Sequence, residues 1–250
     1  MGDWTDGYYG SELYFATAAD LLTERLTAAE ADRIAELLAL GPGDRVLDLG
    51  CGHGRHARAL AGRVGWCCGL ERWPEPLRRA GAPPPGLSWL RADLRALPLR
   101  DGAFDAAWSW YASLFMWDEA ANEEALAGVA RLLAPGGRLL VQHANPQALA
   151  QEPHAAARRR LPDGSVVEER SVFDVATGVD RCARRWLRAD GSVLEGTARL
   201  RYYNPDEWEP LARRAGLRLR AVTSTTPPPG GRPGPEAPDL IALLEKPWAP

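Results

Sequence analysis

The segment Asp48-Leu49-Gly50-Cys51-Gly52-His53-Gly54 carries the clearest chemistry in the chain. Ahead of it, Arg45-Val46-Leu47-Asp48-Leu49 has the length and apolar character of a short buried strand, and 53–61 has helical spacing. A strand that ends in a glycine-rich turn and opens a helix offers a ligand bare backbone, because side chains there would intrude. Three glycines at alternate positions would also serve a dinucleotide, but that fingerprint wants its third glycine where Arg55 stands. A carboxylate just before the turn repels a pyrophosphate and attracts a cation. Asp48 therefore suits a nucleoside ligand that carries an ammonium group and no phosphate. Glu71 closes the next strand, where a carboxylate accepts hydrogen bonds from a ribose diol. Asp93, in Arg91-Ala92-Asp93-Leu94 after the third strand, is placed to accept from an adenine amino group. Each acid alone reads equally well as a turn residue or a cap. Three at successive strand ends do not.

The elements that must position these residues follow from periodicity. Ala31, Ile34, Leu37 and Leu38 recur at helical spacing within 28–40, and Gly41-Pro42-Gly43 stops that helix. Strands are expected at 45–49, 64–70, 87–91, 104–110 and 138–143, alternating with helices at 53–61, 73–80 and 119–133. Such alternation gives an α/β, doubly wound, mostly parallel sheet. Between 165 and 203 the pattern changes to three strand-like runs, broken by Ala176-Thr177-Gly178 and Ala189-Asp190-Gly191, which predicts an antiparallel β-insertion. A helix at 205–215 and strands at 217–222 and 239–245 complete a seven-stranded sheet, with the Pro/Gly-rich 227–238 as an exposed loop. The expected division is an N-terminal helical capping segment (1–30), a ligand-binding core (31–146), the β-insertion (147–204) and a C-terminal return to the core (205–250).

Composition bounds the function classes. A net charge of -3, from 33 acidic and 30 basic residues, argues against a dedicated nucleic-acid binder. The basic runs Arg158-Arg159-Arg160 and 181–188 read as solvated surface on a helix face or strand edge. Four cysteines without a C-x-x-C pair and four scattered histidines give no metal spacing. The start, Met1-Gly2-Asp3-Trp4, lacks an apolar signal segment, and no apolar run is long enough to span a bilayer. The expectation is a cytoplasmic protein without nucleic-acid or membrane partners, with a homodimer left open.

Val46-Leu47-Asp48-Leu49-Gly50-Cys51-Gly52-His53-Gly54-Arg55 is similar to motif I of class I methyltransferases. Phe104-Asp105-Ala106-Ala107 and Leu133-Ala134-Pro135-Gly136-Gly137-Arg138-Leu139-Leu140 look like later motifs of the same family, so the resemblance covers about 30–145. It implies a Rossmann-like fold and S-adenosyl-L-methionine as cofactor, held by Asp48, Gly50, Cys51, Gly52, Gly54, Glu71, Arg72, Asp93, Leu94 and Ser109. Asn145-Pro146, Asp163-Gly164 and Arg201-Tyr202-Tyr203-Asn204-Pro205-Asp206-Glu207 resemble a subgroup with a small antiparallel lid after strand five, which includes methylases of amino sugars and related natural products. His143 departs from the aliphatic residue expected there, and Trp108-Ser109-Trp110-Tyr111 is unusually rich in aromatic residues. The resemblance also implies a tyrosine of the N-terminal segment closing over the cofactor; of Tyr8, Tyr9 and Tyr14, it points to Tyr14.

Methyl transfer from a sulfonium needs in-line alignment and exclusion of water more than it needs a strong base. His143 is the candidate base, since imidazole titrates near neutrality; the competing reading is a strand-end hydrogen bonder. Trp110, Tyr111, Phe115 and Trp117 suit a wall for a flat heterocycle or a cationic amine, or else a hydrophobic plug under the lid. Arg201 and Tyr203 share one side of their strand, so Arg201 would meet an anionic acceptor group or form a surface salt bridge. Asn145 joins the acceptor side, and Arg55 reads as a helix-start residue pairing with an acid. The expected function is methylation of a small molecule, at nitrogen somewhat ahead of oxygen. The alternatives are a catalytically silent, methyltransferase-like binding protein and a nicotinamide-dependent oxidoreductase. No Asn/Asp-Pro-Pro-aromatic motif follows strand four, which argues against amino-methylation of DNA bases or protein amides.

Overall fold

The computed structural model describes residues 4–18, 22–226 and 233–248. Helices α1 (Trp4–Tyr8) and α2 (Glu12–Ala18) precede α3 (Glu24–Leu37), which starts on the Thr23 cap. Then come β1 (Arg45–Leu49), α4 (Arg55–Leu60), β2 (Trp66–Glu71), α5 (Pro74–Ala80), β3 (Leu87–Arg91) and β4 (Phe104–Ser109). After these follow α6 (Glu119–Leu132), β5 (Leu133–Ala144) and α7 (Pro146–Leu149). A second run of strands is β6 (His154–Arg160), β7 (Val166–Asp174), β8 (Val179–Leu187) and β9 (Val193–Arg201). The chain closes with α8 (Trp208–Arg214), β10 (Arg218–Thr223) and β11 (Asp239–Glu245).

The main sheet runs β10-β11-β5-β4-β1-β2-β3, with β11 antiparallel to both of its neighbours and the pairs from β5 to β3 parallel. Because both faces of β1 are covered, Val46, Leu47, Asp48 and Leu49 are all buried. Alternation sends Leu47 and Leu49 into the layer with Leu126, Val129 and Trp208, and Val46 into the layer with Ile34, Leu38 and Leu60. The chain winds outward from β1 to β3, then returns to β4 on the other side of β1. This reversal opens a crevice beyond the carboxyl ends of β1 and β4, where ligands of such sheets bind.

The insertion is a four-stranded antiparallel sheet, β6-β7-β8-β9, rather than three runs. The additional strand, β6, pairs with β7 from His154↔Val172 to Arg160↔Val166. Its alanines and arginines lack β-branched residues, and as an edge strand it is exposed almost throughout, so it showed no alternating pattern. Against this sheet lie α1 and α2. Tyr8 and Leu13 share a core with Val167, Trp186 and Ala198, and Gly196 lets Leu13 approach β9 closely. The N-terminal helices thus dock on the insertion and, through it, cover the crevice. Of the expected loop at 227–238, residues 227–232 lie outside the described residues, as do Met1, Gly2 and Asp3.

One buried carboxylate ties three elements together beneath the crevice. Glu30 of α3 accepts hydrogen bonds from Arg55 Nη1 and from His56 Nε2 (2.9 Å) of α4. It also accepts from Trp110 Nε1 (3.1 Å) and Tyr111 Oη (2.6 Å), just after β4. Burial raises its pKa, but the hydrogen bonds from His56, Arg55 and Tyr111 outweigh that and hold the carboxyl down at about 2. The same bonds carry Tyr111 through a left-handed backbone conformation (φ 60°). Glu30→Ala leaves the Arg55 guanidinium buried without its partner, and we expect it to cost about 3–5 kcal/mol in urea denaturation. A loss below about 1 kcal/mol would show that this network holds nothing in place.

Candidate active site

A cavity of about 390 Å³ fills the crevice between the main sheet and the insertion. Its floor is the turn after β1, where Gly50, Cys51, Gly52 and His53 face it. Gly50, Gly52 and Gly54 all have positive φ, yet each is a glycine for its own reason. A Cβ on Gly50 would lie 2.6 Å from that of Ser113, and one on Gly54 would enter the ring of Trp89. At Gly52 the nearest atom to such a Cβ is Phe15 Cζ at 3.4 Å, so it is there that the missing side chain leaves room beside the cavity. Gly54 itself is not on the wall; it opens α4 and seats Trp89.

Glu71 organises the rim. Its Oε2 accepts from Gly52 N (2.9 Å), while Oε1 accepts from Arg72 N (2.6 Å) and Trp73 N (3.0 Å). The carboxylate that faces the cavity therefore also fixes the turn opposite it. Burial raises its pKa, and the three amides oppose that shift. Asp48 is buried at the head of the turn, and its Oδ2 has no hydrogen-bond partner. Burial pushes this carboxyl up to about 7. A buried acid with one bare oxygen beside a glycine turn fits the ammonium end of an amino-acid-bearing cofactor. Asp93 and Leu94 form the far wall. Asp93 is partly buried, but Arg95 (2.7 Å) and Arg72 (3.4 Å) keep its carboxyl below the ordinary range.

Trp110, Tyr111 and Trp117 line the cavity as aromatic wall, and Tyr14 meets them from α2, its phenol raised by burial. Six other residues expected at the site are elsewhere. His143 is buried off the cavity wall, its ring stacked on Trp208 (5.5 Å, 12°) and Tyr202 (5.6 Å, 28°). Its Nδ1–H donates to the Ala144 carbonyl (2.7 Å), and burial draws the imidazole down to about 4. A neutral, enclosed ring away from the cavity is not the base. Ser109 ends β4 fully buried beneath the site, and the serine on the wall is Ser113. Phe115 and Tyr203 pack edge to face (4.8 Å) in the core with Trp208, the plug rather than the wall. Arg201 pairs with Glu207 and Glu119 and covers the Tyr203 ring, which leaves it a structural ion pair. Asn145 caps α7 by accepting from Gln147 N and donates to the Gly234 and Ala237 carbonyls.

Sequence reasoning passed over Glu30, which nothing in the helical pattern marks, and Phe15. It also passed over Glu169, Ser171, Asp180, Cys182 and Arg184, which face the cavity from the insertion. The signal that finds these last is spacing: they alternate by two along β7 and β8, so one sheet face carries them all.

Residues 46–137 match the family described as a methyltransferase domain. The chain is 30% identical over 234 residues to the 27-O-demethylrifamycin SV methyltransferase of Amycolatopsis mediterranei, covering 89% of this chain and 82% of that one. It is 34% identical over 152 residues to the 2-methyl-6-phytyl-1,4-hydroquinone methyltransferase of a Synechocystis strain, covering 59% and 46%. The match thus spans about half the length of the first curated relatives (46% and 48%). Among solved structures, the CcbJ methyltransferase from Streptomyces caelestis superposes with a TM-score of 0.79 at 22% identity, covering 98% and 100% of the two chains. CalS10, an amino pentose methyltransferase from Micromonospora echinaspora solved with S-adenosylmethionine bound, gives 0.66 at 22%, covering 94% and 97%. The chain belongs to the S-adenosylmethionine-dependent methyltransferase family.

The protonation of Asp48 gives a test of its place in the site. The free protein holds a proton there that a complex with the cofactor's ammonium would release, so affinity for S-adenosylmethionine rises with pH. We expect a gain approaching about tenfold per pH unit below about pH 7, measured by calorimetry, until the cofactor's own α-amino group deprotonates near pH ~8. Asp48→Asn flattens the profile. An unchanged profile in that variant would remove Asp48 from the ammonium site.

Proposed function

We propose that this protein transfers the methyl group of S-adenosylmethionine to a small-molecule acceptor, at nitrogen in preference to oxygen. The observation that carries this reading is the continuity of one cavity. It joins the glycine turn and its carboxylates to a chamber roofed by the antiparallel insertion and the N-terminal tyrosines. In this reading Asp48 orients the cofactor's ammonium, Gly52 gives the cofactor room, Glu71 receives the ribose hydroxyls, and Asp93 and Leu94 flank the adenine. The bound cofactor supplies an electrophilic methyl with a good leaving group. The chain aligns the acceptor, and the roof excludes water. Tyr14 contributes shape, since burial keeps its phenol protonated.

Nitrogen is preferred because a neutral amine attacks without further activation, whereas an alcohol must lose a proton. Of the histidines on the wall, His56 is committed to Glu30, and burial lowers both it and His53. Relatives point both ways: one is named for an oxygen position of rifamycin, while solved neighbours include an amino pentose methyltransferase and a sugar N-methyltransferase. No helix among the described residues is long and apolar enough to cross a membrane. Equilibrium dialysis against S-adenosylmethionine and NAD tests the cofactor half: we expect micromolar retention of the first and none of the second. Retention of NAD in place of S-adenosylmethionine would return the oxidoreductase reading. Cofactor binding without methylation of any amine or alcohol in a broad acceptor panel would favour the silent binding protein.

A further inference from the structure

The roof of the cavity is charged, and its charges are not all matched. Arg184 of β8 is buried against Glu169 of β7 (2.9 Å) and Thr17 Oγ1 (3.0 Å), and its guanidinium lies over the rings of Tyr8 and Tyr14. Its Nη1 and Nη2 are taken up inside the protein, while its buried Nε has no hydrogen-bond partner; with Glu169 as counter-ion, it offers little net charge to an anionic acceptor. Asp180, also on β8, differs. Only 9% of it is exposed, it faces the cavity, and among the described residues no cationic side chain forms an ion pair with it. Its partners are the hydroxyl of Ser171, across the strand pair, and the backbone of Arg181. Around it stand aromatic rings. The negative charge of Asp180 bears on the phenols of Tyr9 and Tyr202. Tyr9 in turn packs on Tyr14 (5.2 Å) and stacks on Trp73 (5.6 Å).

A buried carboxylate is costly without a counter-ion, and aromatic faces favour cations. We propose that Asp180, held by Ser171 and bordered by Tyr9 and Tyr202, is the recognition group for a cationic amine on the methyl acceptor. This rests on the small-molecule methyltransferase reading and narrows it to amine-bearing acceptors. Where the bound ammonium is itself the group methylated, it first passes a proton to the Asp180 carboxylate, and the freed lone pair forms the N–C bond as the C–S bond breaks. The wall itself supports the sign of the charge. Asp180 repels a carboxylate or phosphate, Glu169 is matched by Arg184, and Arg201, one of whose two expected roles was to receive such a group, is outside the cavity in its own ion pairs. A neutral alcohol leaves Asp180 without a counter-charge, whereas an ammonium supplies one together with hydrogen bonds to the carboxylate.

The test uses three probes of nearly equal shape: benzylammonium, benzyl alcohol and benzoate. Their binding to the full chain is measured by saturation-transfer NMR with and without saturating S-adenosylhomocysteine. The expected result is that benzylammonium binds about tenfold more tightly than benzyl alcohol, with benzoate weakest. Asp180→Asn, of the same shape, loses this preference while S-adenosylhomocysteine affinity stays unchanged. Ser171→Ala removes the hydroxyl but keeps the charge, and retains the preference, which separates the charge from a general disturbance of the roof. Equal binding of the three probes, no binding of benzylammonium, or a preference that survives in Asp180→Asn overturns the proposal. An amine preference in a chain that does not bind S-adenosylhomocysteine supports the amine site and counts against methyl transfer.

Discussion

The four donors converging on Glu30 are the constraint on which the rest of the site depends. A carboxylate buried under a parallel sheet survives only if its charge and lone pairs are satisfied, and here they are met by α4 and by the chain leaving β4. Those two segments flank the topological switch point, so the bonds that neutralise Glu30 also set the width of the crevice. The turn after β1 is held from the other side by Glu71, whose carboxylate grips Gly52 and the start of the next loop. One buried acid thus holds the turn itself, and the other holds the helix that follows it. The cost of burying them is offset by a preformed site, which spares a ligand the work of ordering it.

Above that rigid floor the roof is assembled from parts distant in sequence. The insertion contributes one face of a four-stranded sheet, and the N-terminal helices contribute rings that fill the space between that face and the floor. In the proposed function the floor takes a nucleoside with a charged amino-acid end, while the roof presents aromatic rings and a carboxylate without an ion pair among the described residues. This division of labour explains how a family can keep its cofactor chemistry while its acceptors diverge. Changes to β7 and β8 alter the roof and leave the bonds of Glu30 and Glu71 untouched.

Much of the floor was legible because its grammar is local. A short apolar strand, an acid, three glycines and a helix occupy consecutive residues, and the parallel sheet orders their neighbours by alternation alone. Even there the three glycines look alike in sequence and differ in space: Gly54 yields to Trp89, Gly50 to Ser113 and Gly52 to the cavity. The misjudged residues are those whose surroundings come from far along the chain. His143 sits at a strand end that should open into the crevice, but Trp208 and Tyr202 close over it. Of the two expectations for Arg201, acceptor contact or salt bridge, the structure shows the salt bridge, with Glu207, six residues on. Strand β6 escaped notice because its run of three alanines followed by three arginines has no alternation and no apolar face.

The central claim is that one cavity holds the cofactor on its floor and the acceptor under its roof. A crystal structure of the full chain with S-adenosylhomocysteine tests it most directly. The account predicts the ribose hydroxyls on Glu71, the amino-acid end between Asp48 and Gly52, the adenine beside Asp93 and Leu94, and the sulfur turned toward the chamber below Asp180. Density for the nucleoside in that chamber, or outside the crevice altogether, would contradict it.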